Sequence, residues 1–372
     1  MKGVIGLLDC HNSPGLGLLT SDRDLASTSF LGRYAFMDFA LSNFCNSEIN
    51  KVGILVRNHQ RSILKHMGNM LSWLENTKIG RINICYNEQG QLNPAYNSDI
   101  NNIRQNDWML YDSNATHLIF CSPSVVMNID FRPLLEEHIR RGEKITAIYQ
   151  KIDNGDEAFL SSQVFDIDEN GYVTSVRKND GRKKKVNASL ECWIINRTTL
   201  ANLTHLHSQV DISFNMKDML VYALTNKLFK IHTAEHKGYA RCFDSMKHYM
   251  QYSFELLDVN VIKQLFHEDW PIYTLTHDTP PALYGAHSQI KNSFISNGCV
   301  IDGSVTDSII CRNVKIGKGS KIKRSIILSN VAIGQNVTLS DVIIDKYSVV
   351  TSRHAIEGDS ENPIYLRQGA IL

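Results

Sequence analysis

The stretch IICRNVKIGKGSKIKRSIILSNVAIGQNVTL, residues 309–339, decides the fold of the C-terminal third of the chain. Aliphatic residues recur there and just upstream at steps of six, with slips in phase between groups: Ile295 and Ile301, then Ile310, Ile316, Ile322 and Leu328, then Ile333 and Leu339. An α-helix repeats about every 3.6 residues and a strand about every two, so neither explains this period. Hexapeptide repeats explain it, because each forms a short strand and a turn, and three complete one coil of a β-helix. Short sandwich strands with accidental spacing are the alternative.

Residues 1–255 follow a different pattern, in which short apolar segments alternate with helix-like ones. The predicted strands are Val4–Leu8, Lys51–Val56, Arg81–Tyr86, His117–Phe120 and Lys144–Tyr149, and the predicted helices include Gln60–Leu74 and Phe131–Arg140. This alternation predicts an α/β domain with a mostly parallel sheet. Ligands of such sheets bind beyond the carboxyl ends of the strands, so the loop after the first strand is the first candidate site. Prolines between residues 270 and 281 favour an extended connection. The predicted boundaries are 1–255 for the α/β domain, 256–284 for the linker and 285–372 for the β-helix domain.

Composition narrows the classes of function. Among 372 residues, 39 basic side chains stand against 38 acidic ones, a net charge of +1. A surface for nucleic acid or for an anionic membrane needs a clustered basic excess, so neither partner is expected. No apolar run reaches the ~20 residues of a membrane helix. The eight cysteines form no C-x-x-C pair, which argues against a zinc ribbon and a disulfide framework and predicts a reducing, cytoplasmic location.

A second stretch, FLGRYAFMDFALSNFCNSEI at residues 30–49, carries a family resemblance. It closely resembles the block F-G-G-K-Y-R-I-I-D-F-x-L-S-N-x-x-N-S-G-I of the glucose-1-phosphate adenylyltransferases (ADP-glucose pyrophosphorylases), and the segment that begins at Trp270 is similar to the linker of that family. The resemblance implies a Rossmann-like, GT-A-like nucleotidyltransferase domain followed by a left-handed parallel β-helix of hexapeptide repeats, assembled as a tetramer. Active members join ATP and glucose 1-phosphate into ADP-glucose and pyrophosphate with Mg²⁺, on the way to glycogen.

The phosphate-binding loop of the family is altered in this chain. Where the resemblance places A-G-G-x-G-x-R-L-x-x-L-T, the sequence from Asp9 to Thr20 reads DCHNSPGLGLLT. Side chains replace the glycines that let backbone N–H groups approach phosphates, and Gly15 stands at the position of the phosphate-contacting arginine. Shortly after this loop, Leu25 replaces the lysine of A-K-P-A, which meets the leaving phosphates in the family.

The metal ligands that the resemblance implies are also replaced. Two aspartates hold Mg²⁺ in the family, and Ser124 and Cys242 stand at their positions. Magnesium prefers oxygen ligands, carboxylates above all, so a hydroxyl and a thiol are poor substitutes. We therefore expect this chain alone to bind no metal and no cofactor, unless Asp244, two residues from Cys242, takes over as a ligand.

Two substrate patterns have changed, whereas two substrate contacts are kept. Residues 95–102 replace the nucleotide-pocket pattern W-[FY]-x-G-T-A-D-A, and Glu191 replaces a glycine of the sugar-site pattern A-S-M-G-I-Y. A carboxylate at that position repels a sugar phosphate. Lys178 matches a lysine that contacts the sugar phosphate in the family, and Arg241 is kept as well. These two residues are the expected remnant of substrate binding.

A kept scaffold with altered phosphate, metal and sugar contacts is similar to the GlgD-type subunits, the non-catalytic partners of catalytic chains in this family. The hypothesis is a regulatory, catalytically degenerate subunit that forms a hetero-oligomer, a tetramer, with a catalytic paralogue. Self-association is compatible with this interpretation. An active sugar-phosphate nucleotidyltransferase with displaced metal ligands is the alternative.

Two basic features are candidate contacts for an effector. Arg33 aligns with a family lysine linked to sugar-phosphate activators, and its alternative role is a surface salt bridge worth under ~1 kcal/mol. The run Arg182-Lys183-Lys184-Lys185 is either a contact for an anionic effector or nucleic acid, or a solvated loop.

Overall fold

The computed structural model describes residues 3–88, 93, 96–112, 114–160 and 162–372. The helices in these ranges are α1 (Phe36–Asn46), α2 (Gln60–Met67), α3 (Asp99–Gln105), α4 (Trp108–Asp112), α5 (Phe131–Arg141), α6 (Arg197–Val210), α7 (Met216–Thr225), α8 (Met246–Glu255) and α9 (Val259–Leu265), with 3₁₀ turns at Gly17–Thr20, Leu25–Ser27 and Leu71–Trp73. None of these helices is long and apolar enough to cross a membrane.

Twenty-eight strands are found in the same ranges. Those of the α/β domain are β1 (Val4–Asp9), β2 (Ser29–Phe30), β3 (Tyr34–Ala35), β4 (Lys51–Val56), β5 (Arg81–Tyr86), β6 (His117–Cys121), β7 (Val125–Met127), β8 (Ile145–Ile152), β9 (Gln163–Ile167), β10 (Val173–Lys178), β11 (Val186–Asn196), β12 (His232–Glu235) and β13 (Ala240–Cys242). Those of the C-terminal domain are β14 (Leu283–Tyr284), β15 (Gln289–Lys291), β16 (Phe294–Ile295), β17 (Val300–Ile301), β18 (Ser304–Thr306), β19 (Ile309–Ile310), β20 (Lys315–Ile316), β21 (Lys321–Lys323), β22 (Ile326–Ile327), β23 (Ala332–Ile333), β24 (Thr338–Ser340), β25 (Val342–Ile344), β26 (Val349–Val350), β27 (Ala355–Glu357) and β28 (Ile364–Leu366).

The central sheet of the α/β domain is mixed. Its strands run in the order β10-β9-β11-β6-β1-β4-β5, and β8 pairs with β11 and with β12. β1 lies parallel to β4 and β6, and β5 lies parallel to β4, which confirms the α/β prediction for this half of the sheet. β11 runs antiparallel to β6, β8 and β9. This reversal is not visible in the sequence, because β11 is buried along most of its length like its parallel neighbours.

One predicted helix is too long. The apolar pattern predicts a helix at Gln60–Leu74, but α2 ends at Met67. The next residue, Gly68, has φ +52° and ψ −119°, a conformation outside the helical region that glycine adopts without strain. The apolar residues beyond it lie in the 3₁₀ turn at Leu71–Trp73, where Trp73 is buried. The apolar period of the sequence therefore continues beyond the residue at which the helix ends.

The C-terminal strands wind into a β-helix of three sheets, each with five parallel strands. Successive coils pair residues 17 apart, such as Lys315 with Ala332 and Ala332 with Val349, whereas Val300 pairs with Lys315, 15 residues away. Three full hexapeptides would place paired residues 18 apart, so shortened corners produce the slips in phase. The hexapeptide prediction is confirmed, and the sandwich alternative is wrong.

The β-helix packs on the α/β domain through one of its sheets. Ile309, Ile326 and Ile343, from β19, β22 and β25, share a buried cluster with aromatic side chains of the α/β domain. A buried ion pair crosses the same interface, with the two terminal nitrogens of Arg23 2.8 and 2.5 Å from the carboxylate oxygens of Asp345. Helix α9 lies inside the predicted linker 256–284, and the domain boundaries given above stay predictions.

Candidate functional site

The loop after β1 is held by its own side chains. Asp9, the last residue of β1, accepts hydrogen bonds from the backbone N–H of His11 at 2.9 Å and from the side-chain amide of Asn12 at 3.0 Å. The same amide donates to the carboxylate of Asp99, at the start of α3, at 2.8 Å. Asn12 therefore bridges two buried carboxylates, which we call the carboxylate bridge (Asp9, Asn12 and Asp99).

A second contact fixes the same loop. The amide of Asn102 on α3 donates to Nε2 of buried His11 at 2.9 Å and to the carbonyl of Cys85 at 2.9 Å. Burial, with a smaller contribution from Arg57, lowers the pKa of His11 to about 3, so this imidazole is neutral at physiological pH. Residues 96–102, which replace the nucleotide-pocket pattern, thus pack against the loop. Ala95 of that pattern lies outside the described residues.

The surroundings of the carboxylate bridge favour the protonated forms of its two carboxyl groups. Burial raises the pKa of Asp9 to about 6, against the hydrogen bonds from His11 and Asn12. Burial and the neighbouring Asp9 raise the pKa of Asp99 well above its usual value. A low-dielectric site with two close carboxyl groups disfavours the doubly ionised form. Such a site repels the phosphates of a nucleotide.

An ion pair occupies the position that aligns with a glycine of the family's sugar-site pattern. Glu191 lies within an irregularity in the pairing of β11 with β8, has φ +53° and is 2% exposed. Its carboxylate pairs with the ammonium of Lys217, on the first turn of α7. Burial lowers the pKa of Lys217, but the attraction of Glu191 and Asp9 outweighs it, so the pKa lies above its usual value. We call Glu191 and Lys217 the internal ion pair.

The structure brings together the two positions that hold metal in the family. The N–H of Phe243 donates to the carbonyl of Ser124 at 2.8 Å, and β13 pairs with β7 next to Ser124. The hydroxyls of Ser124 and Ser122 bond to each other at 2.8 Å, and the thiol of Cys242 lies 3.6 Å from the hydroxyl of Ser162. Burial raises the pKa of Cys242, so its sulfur stays neutral. A neutral thiol and two hydroxyls do not fit Mg²⁺.

Asp244 is engaged elsewhere. Its side chain is 3% exposed and pairs with Nδ1 of His248 on α8. In the described part of the chain, no three His, Cys, Asp or Glu side chains are placed to hold a metal ion together. The donor set around Ser124 and Cys242 therefore does not match the magnesium site that the family implies.

The two positions of the lost phosphate cations differ in their surroundings. Gly15 is exposed, and a side chain added there would meet only the hydroxyl of Thr20, at 3.7 Å. Leu25 is 2% exposed and packs in the buried cluster between the domains, with Leu16 and Phe30. The lysine position has thus become part of the core, whereas the arginine position is open.

The two kept substrate residues lie in different settings. Lys178 ends β10 and is exposed. Arg241 on β13 donates to Glu255 at 2.8 Å, and its guanidinium lies 4.9 Å from the ring centre of Tyr239. The charge of Arg241 is therefore compensated by Glu255 of the same domain, and this ion pair supports the fold.

Arg33 lies at the interface between the domains, among cations that the sequence does not single out. It is exposed, 5.4 Å from the ring centre of Tyr34. Burial, then the charge of Arg33, lowers the pKa of Arg312, and burial, then Arg23, lowers the pKa of Lys346. Arg312 and Lys346 come from β-helix coils far along the chain, so no local pattern predicts this group, which we call the interdomain cations (Arg33, Arg312 and Lys346).

The fold and the site define a nucleotidyltransferase-type chain, docked on a hexapeptide β-helix, whose phosphate, metal and sugar positions have changed. Known proteins point to the same class. Residues 18–174 match the nucleotidyl transferase family, and residues 280–363 match the GlmU-like C-terminal hexapeptide family.

Similar proteins are named for glycogen biosynthesis or for glucose-1-phosphate adenylyltransferase activity. The chain is 30% identical to the glycogen biosynthesis protein GlgD of Bacillus subtilis (strain 168), over 100% of this chain and 96% of that protein. It is 30% identical to GlgD of Geobacillus stearothermophilus, over 86% and 82%, and 26% identical to the glucose-1-phosphate adenylyltransferase of Fervidobacterium nodosum, over 94% and 84%. The chain belongs to the GlgD family of glycogen biosynthesis proteins, within the nucleotidyltransferases related to glucose-1-phosphate adenylyltransferase.

Proposed function

We propose that this chain is a regulatory, catalytically degenerate subunit of a glucose-1-phosphate adenylyltransferase complex. In this proposal it assembles with a catalytic paralogue into a hetero-oligomer, a tetramer, and tunes the formation of ADP-glucose from ATP and glucose 1-phosphate. The observation that carries the proposal is the internal ion pair. The ammonium of Lys217 pairs with the buried carboxylate of Glu191 where the family pattern has a glycine and room for a sugar phosphate.

The charges around the site support the same interpretation. Transfer of a nucleotidyl group needs cations and metal to stabilise negative charge on phosphates, and one lost cation can cost on the order of 10³-fold in rate. Here Gly15 and Leu25 replace two cations, while Asp9, Asp99 and Glu191 are buried acidic groups. Only Lys217 opposes them among the residues named above as site contacts. Turnover by this chain alone is therefore expected to be very slow or absent.

The alternative function is an active transferase that uses displaced metal ligands. It requires a carboxylate near Ser124 and Cys242 that is free to turn toward a metal ion. Asp244 is the nearest candidate in sequence, and its carboxylate pairs with His248. The kinetic experiment below separates the two functions.

Regulation requires a difference in binding between conformations. A subunit shifts the activity of its partner only if the partner's active and inactive states bind it differently. The interdomain cations are the proposed effector site, because an anionic sugar phosphate would relieve the repulsion between Arg33 and Arg312. We also propose a cytoplasmic location, which is compatible with eight buried cysteines that form no disulfide.

The test is pyrophosphate release from ATP, glucose 1-phosphate and Mg²⁺. The chain alone, the catalytic subunit alone and their mixture are compared, with and without a sugar-phosphate effector. We expect no turnover by this chain and an altered rate or effector response in the mixture. Arg33→Ala should reduce the effector response, whereas Arg353→Ala, an exposed arginine of the β-helix, should not. Turnover by this chain alone at the rate of the catalytic subunit, or a mixture with neither co-elution nor altered kinetics, would exclude the proposal.

A further inference from the structure

A second charged recess lies at the antiparallel end of the central sheet. Its volume is about 520 Å³, within the range of pockets for small molecules. Strands β8, β9, β10 and β11 and the loop that precedes β11 form its walls. Its lining residues include Lys151, Phe165, Arg177, Lys183, Lys185 and Asn187.

Alternate residues of the basic run 182–185 have different surroundings at this recess. Arg182 lies 3.3 Å from Asp180, and Lys184 lies 3.7 Å from Asp156. These two cations are compensated by carboxylates of neighbouring loops. The alternate residues, Lys183 and Lys185, line the recess, and within the described ranges neither of them forms an ion pair. The sequence left a solvated loop and an anion contact as alternatives, and the structure divides the run into two paired cations and two cations that line the recess.

Other groups of the recess complement these lysines. Arg177 lines it from β10, 3.8 Å from Asp166, and Lys151 lines it from β8, 3.0 Å from Glu235. Asp166 also accepts a hydrogen bond from Ser175 at 2.6 Å. Asp166 and Glu235 are thus both paired, and although Asp153 also lines the recess, its four cations outnumber its two carboxylates.

The recess is separate from the altered substrate site. Lys178, the next residue of β10 after Arg177 and the remnant of the sugar-phosphate contact, is not among the residues that line the recess, and neither are Glu191 and Lys217. The floor contains the apolar side chains of Ile152, Phe165 and Val186.

We propose that this recess binds a small anion that carries phosphate groups, held mainly by Lys183 and Lys185. Two ammonium groups without carboxylate partners are donors of charge-assisted hydrogen bonds, which phosphate oxygens accept. The apolar floor accommodates an organic group attached to the phosphate. The proposal does not rest on the regulatory function proposed above, because it uses none of the residues that support that function.

The experiment is a calorimetric titration of the full-length chain with inorganic pyrophosphate at fixed ionic strength. The matched variants are Lys183→Ala/Lys185→Ala and Arg182→Ala/Lys184→Ala, which remove the same charge from the same loop on opposite faces. We expect saturable binding to the wild type, weakened at least about tenfold by the first pair and less than about twofold by the second. Circular dichroism verifies that both variants are folded.

Three results would overturn the proposal. The first is the absence of saturable binding to the wild type. The second is an equal loss in both pairs, which indicates a general effect of net charge. The third is loss of binding in Arg33→Ala with full binding in Lys183→Ala/Lys185→Ala, which assigns the anion to the interdomain cations. Parallel titrations with inorganic phosphate and glucose 6-phosphate distinguish a free phosphate from a phosphate ester, and tighter binding of the ester would support a contact with the apolar floor.

Discussion

Glu191 adopts a left-handed backbone conformation, φ +53°, which glycine adopts more readily than any other residue. Its strain is balanced by the buried pairing with Lys217. Because removal of one partner leaves the other charge buried, we predict that Lys217→Met lowers the free energy of unfolding by about 3–5 kcal/mol. The double variant Glu191→Gly/Lys217→Met should recover most of this loss, since it removes both charges and the strain. Urea unfolding of the wild type, both single variants and the double variant measures the coupling.

Additive losses in this cycle would contradict the internal ion pair. Independent effects mean that Glu191 and Lys217 do not compensate each other in the folded protein. The single variant Glu191→Gly is the control for backbone strain. It should cost less than Lys217→Met, because Lys217 still faces Asp9.

Asp24 makes the stability of the folded protein depend on pH. Its carboxylate caps the 3₁₀ turn at Leu25–Ser27 by accepting from the N–H of Ala26 at 2.8 Å, and burial raises its pKa to about 7. The folded state therefore holds a proton that the unfolded state loses near pH 4, and stability falls as pH rises from about 4 to 7, by at most about 1.4 kcal/mol per pH unit. Asp24→Asn keeps a capping oxygen and removes this linkage.

We predict that Asp24→Asn gains stability relative to the wild type progressively between about pH 4 and pH 7, and that the difference stays constant above pH 7. Thermal unfolding of both proteins across this range measures the difference. The exposed Asp22→Asn is the matched control, because removal of a solvated carboxylate should shift stability little at any pH. A constant difference between Asp24→Asn and the wild type would show that the carboxyl titrates alike in the folded and unfolded states.

Residues of the site were predictable to different degrees. Ser124, Cys242, Gly15 and Leu25 follow from their positions in a recognisable motif, and the structure shows that the first two meet. Their exact consequence for catalysis stays a prediction. Lys217 was missed, because it belongs to none of the motifs quoted above and reaches the site through the packing of α7 against β10 of the central sheet.

At the scale of elements, the β-helix depends on its corners. Asn330 has φ +63°, and its side-chain oxygen accepts a hydrogen bond from the amide of Asn313, one coil earlier, at 3.2 Å. Residues with a Cβ and no local hydrogen bond resist this conformation by about 1–2 kcal/mol. We predict that Asn330→Ala lowers the melting temperature measurably, whereas Asn330→Gly retains most of it. Equal melting temperatures of the two variants would show that the left-handed corner contributes nothing to stability.

The positions of the elements are predicted from the sequence more accurately than the way in which they pair and end. The strands Lys51–Val56 and Arg81–Tyr86 have the predicted bounds, because each is a short, mostly apolar run between turn residues. The antiparallel pairing of β11 and the end of α2 at Gly68 were not predicted. The pairing of β11 depends on non-local contacts, and the end of α2 depends on the backbone conformation of a single residue. An apolar period encodes neither.

At the scale of the whole molecule, the three faces of the β-helix have different roles. The sheet that contains β19, β22 and β25 packs on the α/β domain. The sheet that contains β18, β21 and β24 presents lysines and hydroxyl side chains to solvent. The third sheet, β14-β17-β20-β23-β26, presents a column of paired side chains, Leu283, Val300, Lys315, Ala332 and Val349, in which Leu283 is 63%, Val300 40% and Val349 37% exposed.

This column is where we expect the catalytic paralogue to bind. Exposed aliphatic side chains grouped on one sheet, here on both sides of Lys315, are typical of protein interfaces, and a related chain with the same β-helix has a corresponding sheet to pack against it. We predict that Val300→Glu/Val349→Glu weakens association with the catalytic subunit by at least about tenfold, because two carboxylates become desolvated at the interface. Thr306→Glu/Thr338→Glu, which adds the same charge to the polar sheet, should leave association unchanged. Sedimentation equilibrium of each variant mixed with the catalytic subunit measures the affinity, and equal affinities for the two double variants would move the interface to another part of the molecule.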